Sequence, residues 1–237
     1  MDTEVKPAHT DRTRPLLAYA GTGRISRSLA VVLVLFGCLL AAEVHPSAQS
    51  GQYKEYEVKA AFIYNFLKFV DWPEGKMANS DKQIIIGIIG ESPFGSATDV
   101  FKNKKVEERD VAVKYFEGLE QIKKMSEKDR AANEESLKNC HLLFICQSEQ
   151  KLVQEITDIV GKNAVLTVGD SEGFAKSGGA IHFFMEDNKI RFNINLTAAE
   201  KGGLKIRSQL LRLAKKVYKD GSEVTNVNSN TAEGQTK

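Results

Sequence analysis

Residues 83–89 read Gln83-Ile84-Ile85-Ile86-Gly87-Ile88-Ile89, an unbroken apolar run built mainly of β-branched side chains. A strand with one wet face alternates, whereas a continuous run marks a strand covered on both faces, as parallel sheets are. Just after it, Ser92-Pro93 supplies a helix cap and a first-turn proline, which predicts a helix to about Lys102. Downstream, residues 110–116, 141–145 and 164–168 read as strands, alternating with helical stretches at 126–138 and 148–160. Strand–helix alternation at this spacing predicts an α/β fold: a single three-layer domain whose central, mixed but largely parallel sheet is flanked by helices.

Both ends of the domain depart from that rhythm. Residues 53–72 place Val58, Ala61, Phe62, Asn65, Phe66 and Phe69 at helical spacing, and Pro73 ends the helix. Near the C-terminus, residues 180–185 and 189–196 flank Glu186-Asp187-Asn188, and Ile190, Phe192, Ile194 and Leu196 alternate with polar residues. This predicts an antiparallel hairpin with one buried face. Thr197 is expected to cap a short helix ending at Gly202-Gly203. A last amphipathic helix is expected over 206–218, with Leu210, Leu211, Leu213, Ala214 and Val217 facing the core. No internal repeat is present.

The chain outside the domain divides into two parts. Arg24 and Arg27 precede an apolar run, residues 29–42, too short to span a bilayer, which needs about 20 apolar residues. Ala48-Gln49-Ser50 then has the small-x-small form of a cleavage site. Residues 1–50 are therefore expected to be a leader carrying a cleaved secretory signal peptide. Cys38 lies inside the apolar run behind the bulky Phe36, unlike a lipidated cysteine. Residues 220–237 are poor in apolar side chains and are expected to form a disordered tail after a domain at 53–219. With 33 basic and 31 acidic residues the chain carries a formal net charge of +2, which leaves no electrostatic footprint for nucleic acid.

Motifs with a chemical meaning mostly lack a necessary part. Gly169-Asp170-Ser171-Glu172-Gly173 satisfies G-x-S-x-G, but a nucleophile elbow needs a later histidine to take the serine proton, and none follows Asp187. Ser171 and Asp170 read instead as turn caps. Gly90-Glu91-Ser92-Pro93-Phe94-Gly95 has the glycine spacing of a phosphate loop, yet Ser96 stands where lysine is required. Gly90, Ser92 and Gly95 remain a candidate ligand loop because they follow a buried strand. Cys140, His141 and Cys146 do not make a metal site, since alternation puts His141 on the face opposite both cysteines. Those cysteines share a face but stand about 20 Å apart along an extended strand. A disulfide needs Cα atoms within about 7 Å, so none is expected. Neither a catalytic set nor a cofactor is expected.

Two long stretches, residues 55–73 (EYEVKAAFIYNFLKFVDWP) and 167–217 (TVGDSEGFAKSGGAIHFFMEDNKIRFNINLTAAEKGGLKIRSQLLRLAKKV), resemble the opening and closing signatures of the YfiR-like proteins. Residues 87–95 (GIIGESPFG) and 140–145 (CHLLFI) resemble the segments between them, in order. The resemblance implies a periplasmic α/β domain that binds the periplasmic sensor domain of an inner-membrane diguanylate cyclase. On that reading it is a negative regulator of cyclic di-GMP signalling and biofilm, not an enzyme. It also implies paired cysteines, for which Cys140 lacks an obvious mate here, and it admits a homodimer.

The hairpin offers a surface for such a partner. Arg191, Asn193 and Asn195 are expected to point outward, with Ile181 and Phe183 partly exposed beside them, a mixture suited to an interface. Two other readings compete: a periplasmic small-ligand sensor using the Gly90 loop, and a serine hydrolase built on Ser171.

Overall fold

The computed structural model describes residues 48–78 and 83–224. Residues 1–47 of the expected leader, residues 79–82 and all of the tail past Val224 lie outside them, while the expected cleavage triplet Ala48-Gln49-Ser50 falls in the first described helix. Helix α1 (Ala48–Lys68) leads through β1 (Val70–Asp71) and α2 (Glu74–Ala78) into β2 (Gln83–Ile89). A 3₁₀ helix (Gly95–Phe101), β3 (Lys105–Val106), β4 (Arg109–Phe116), α3 (Leu119–Lys123) and α4 (Glu127–Lys138) follow. Next come β5 (Leu142–Ile145), a 3₁₀ turn (Gln147–Leu152), α5 (Val153–Val160) and β6 (Leu166–Gly169). The chain continues with β7 (Ile181–Glu186), β8 (Lys189–Asn195), α6 (Leu196–Lys201), β9 (Lys205–Ile206), α7 (Ser208–Leu211), β10 (Lys216–Lys219) and β11 (Ser222–Val224).

Nine strands form one sheet in the order β11-β10-β8-β7-β6-β5-β2-β4-β3. The interior from β4 through β7 is parallel, and the β7–β8 hairpin is antiparallel, so the expected mixed, largely parallel α/β sheet is present. The isoleucine run explains its centre. Ile84, Ile86 and Ile88 face a core built with α1 and the first 3₁₀ helix, while Ile85 and Ile89 face a second core with α3, α4 and α5. Gly87 sits where a Cβ would lie 2.7 Å from Cys140 Sγ, so this strand carries no side chain at that point. Cys140 belongs to the second core and Cys146 to the first, each buried as a free thiol. The shared face expected of them is therefore corrected: Cys140 precedes β5, where the alternation has not yet begun.

Three further expectations change. The buried stripe of α1 is Tyr56, Lys59, Ala60, Ile63, Phe66 and Leu67, rotated by about 130°, more than a third of a turn, from the one expected. Val58, Ala61 and Asn65 are exposed, and Lys59, a charged residue, lies on the core face in their stead. The C-terminal helix expected over 206–218 is confined to α7. Lys216–Lys219 is a strand that adds to β8 in parallel, and Leu213 is exposed. Val217 and Tyr218 favour that extended state, and the ladder on β8 supplies the backbone partners. Finally, the tail does not begin at Asp220. Asp220-Gly221, a strong hairpin turn pair, reverses the chain into β11, and Lys216 bonds Glu223 at 2.8 Å across the hairpin.

Candidate functional site

β6 ends at Gly169, and the next residue, Asp170, turns over the C-terminal edge of the sheet toward α1. Its Oδ2 accepts a hydrogen bond from the Tyr56 hydroxyl at 2.7 Å and one from the Lys59 ammonium at 2.6 Å. Lys59 is 3% exposed and the Asp170 side chain 8%, so this is a buried ion pair, with Glu55 as a second partner of Lys59. The ammonium also lies 4.3 Å from the centre of the Tyr56 ring. Burial, and then the bond to the Asp170 carboxylate, pushes the Tyr56 hydroxyl far above the ordinary tyrosine value, so it stays a donor.

Asp170 Oδ1 and Ser171 Oγ are both buried and have no hydrogen-bond partner among the described residues. Burial of a polar atom without a partner costs about 1–3 kcal/mol. Asp170 also lines a cavity of about 500 Å3 whose walls include Gln147, Glu172, His182 and Met185. Burial holds the His182 imidazole below its ordinary range, with Lys59 adding to the effect, and Asp170 and the Ser171 backbone opposing it. The site thus joins a fixed cation, a buried acceptor oxygen without a partner among the described residues and a largely neutral imidazole. Cys146 lies close enough to Asp170 and Glu149 that, after burial, their charges help push its thiol up to about 12.

The two G-x-S-x-G glycines serve packing and a turn: Gly173 has a φ of +77° with open space around it, and Gly169 is packed against an aromatic ring. A Cβ on Gly169 would lie 2.3 Å from the Phe174 ring, which folds back over the end of β6. Ser171 Oγ is enclosed rather than presented at an elbow, and no described residue is placed to take its proton.

The Gly90 loop leaves the sheet between β2 and β5, the point where the chain reverses its direction across the strand order. Its interior is filled. Ser148 Oγ accepts from the Glu91 amide at 3.0 Å, and a Cβ on Gly90 would lie 2.4 Å from that oxygen. The buried Glu149 carboxylate caps α3 through the Leu119 amide at 2.9 Å and occupies the neighbouring space. Ser92 accepts from the Phe94 amide at 3.4 Å, and the helix itself starts only at Gly95.

A second concavity of about 500 Å3 adjoins the first through Glu55 and Met185 and runs between α1 and the hairpin tip. Val58 and Met185 are 44% and 50% exposed there, beside Phe62, Ile190, Lys54 and Arg191. The partner residues expected from the sequence separate at this hairpin. Arg191 is exposed and Asn193 half-buried, on the sheet face away from α1. Ile181 and Phe183 are fully buried, contrary to expectation, because their alternation places them against Phe62, Phe66 and Phe192. Asn195 caps α6, accepting from the Ala198 amide at 3.1 Å, while its amide donates to Ala175 O at 3.0 Å. Thr197, expected as that cap, instead accepts from the Asp220 amide at 2.7 Å. Sequence reading missed Lys59, Tyr56, Val58 and Met185. The one signal for Lys59 was a lysine interrupting an aromatic helix face.

Among the described residues no helix is long and apolar enough to cross a membrane, and no group of metal-ligating side chains is present. No curated protein matches the chain. The YfiR/HmsC-like family model matches residues 56–215, a span that starts at Tyr56 and contains Lys59, Asp170, His182 and the whole hairpin. The chain belongs to the YfiR/HmsC-like family.

Proposed function

We propose that this protein is a periplasmic negative regulator, exported by a signal peptide within residues 1–50, that binds the periplasmic sensor domain of an inner-membrane diguanylate cyclase. Binding restrains cyclic di-GMP synthesis and with it biofilm formation. Family membership carries the reading. It is supported by a surface of suitable chemistry: Val58 and Met185 form an exposed apolar pair rimmed by Lys54 and Arg191, and solvated apolar groups of this kind are what interfaces bury. Arg191 stays in the interface as part of the concavity's rim, Asn193 lies on the opposite sheet face, and Ile181 and Phe183 act as core supports. The test is cyclic di-GMP content in cells. Loss of the gene should raise it, and Val58→Glu with Met185→Glu should raise it as far while the protein still accumulates in the periplasm. Unchanged cyclic di-GMP in the gene deletion would rule the reading out.

A second and compatible reading is a small-ligand sensor, favoured by Asp170, which lines the cavity and carries a buried oxygen with no partner among the described residues. A donor-bearing ligand would satisfy that oxygen, and the site would then lie beside α1 and not in the filled Gly90 loop. A thermal-shift screen against a metabolite set, repeated with Asp170→Asn, tests it. A selective stabilisation lost in the variant supports it.

A further inference from the structure

β4 has β2 on one side from Asp110 to Phe116 but β3 on the other only at Arg109 and Asp110. The Val111 amide donates outward to Lys104 O at 2.9 Å, and the chain turns away at Asn103, whose φ is +57°. Backbone groups alternate sides along a strand, and Phe116 O points inward to the Gly90 amide at 3.2 Å. Val113 and Tyr115 therefore direct their N–H and C=O groups to the outside, and no described strand lies beside them. An open edge is a template for another chain unless its side chains repel it. Here Val113 and the 53% exposed Tyr115 favour an extended neighbour. Lys114 stands between them, and Lys104 lies at the end of the open segment; neither forms an ion pair among the described residues.

Self-pairing is opposed by this arrangement. The open segment 112–116 paired antiparallel with a second copy centres on Lys114 and sets the two Lys114 ammonium groups opposite one another, which is destabilising. We propose that the open edge of β4 receives an extended segment of another protein, antiparallel and in line with β3, carrying an acidic residue opposite Lys114 and β-branched residues opposite Val113 and Tyr115. Backbone bonds to Val113 and Tyr115 would hold it, and the Lys114 charge would select it, the usual division in β-strand addition. The proposal is independent of the identity of the regulated partner and of the α1–hairpin surface.

The test uses isotope-labelled full-length protein and two capped peptides, Thr-Thr-Val-Glu-Val-Thr-Thr and the same sequence with lysine at the centre. The acidic peptide should saturably shift the Val113 and Tyr115 amide signals, and the basic one should bind roughly tenfold more weakly. Lys114→Glu should invert that order. Val113→Pro should abolish binding, and because this amide is not in the β2 ladder the fold should survive it. If that variant fails to fold, the Lys114→Glu inversion alone decides. Equal binding of both peptides, binding by neither, shifts confined to other strands, or a dimer joined through these amides would each overturn the proposal.

Discussion

Lys59 and Asp170 hold opposite charges where neither can stay alone. Both are nearly excluded from solvent, and removing one partner of such a pair leaves an uncompensated buried charge, which costs about 3–5 kcal/mol. Lys59→Met is expected to lower unfolding free energy in urea by that amount, and Lys59→Met with Asp170→Asn should recover part of it. A loss below about 1 kcal/mol would mean the pair is solvated. His182 adds a pH dependence with a definite sign. Burial lowers its folded-state value, so the unfolded chain binds the proton first. The stability it contributes is complete above the unfolded value of about 6.5 and is lost as pH falls through that value toward the folded one. Thermal unfolding from pH 8 to 5 should show this loss in the native protein and a flatter profile in His182→Gln. The thiols at Cys140 and Cys146, pushed up by burial to about 11 and about 12, should react with iodoacetamide only as fast as the fold opens. Rapid labelling of both in the native state would contradict their placement.

At the scale of the elements, the close packing behind the site is specific enough to test. Gly169→Ala puts a methyl group 2.3 Å from the Phe174 ring and should destabilise by about 1–3 kcal/mol. Asn195→Ala should cost about 1 kcal/mol through the α6 cap and leave partner affinity unchanged, which separates Asn195 from Arg191. Strands were legible in the sequence wherever burial on both faces produced a β-branched run, as in β2, or strict alternation, as in β8. Lys216–Lys219 was not, because Leu210, Ala214 and Val217 recur at helical intervals although each is buried from a different local conformation. The site was only half legible. Asp170 and Ser171 stood out in a motif, but Lys59, the partner of Asp170, lies 111 residues away, and a lysine on an aromatic helix face does not say which acid it will meet. Phe183 was misplaced by one face of the sheet for a related reason. Near a hairpin tip both alternating sets are apolar enough to be the core, and only the aromatic layer under α1 decides between them.

At the largest scale, the described residues form a covered, largely parallel sheet extended by an antiparallel hairpin. That hairpin and α1 leave Val58 and Met185 in solvent beside the buried Lys59–Asp170 pair. A rigid aromatic layer of Phe62, Phe66, Phe183 and Phe192 lies beneath, so the surface is preformed and loses little entropy on binding. Its exposed apolar pair is the expected centre of the binding energy, with Arg191 at the rim. The most direct measurement is the affinity of the purified protein for the periplasmic domain of the inner-membrane diguanylate cyclase proposed as its partner, by titration calorimetry. The account predicts saturable binding that Val58→Glu with Met185→Glu weakens by roughly a hundredfold, about 2–3 kcal/mol, at unchanged thermal stability. Absence of binding by the native protein, or equal affinity in the double variant, would contradict it.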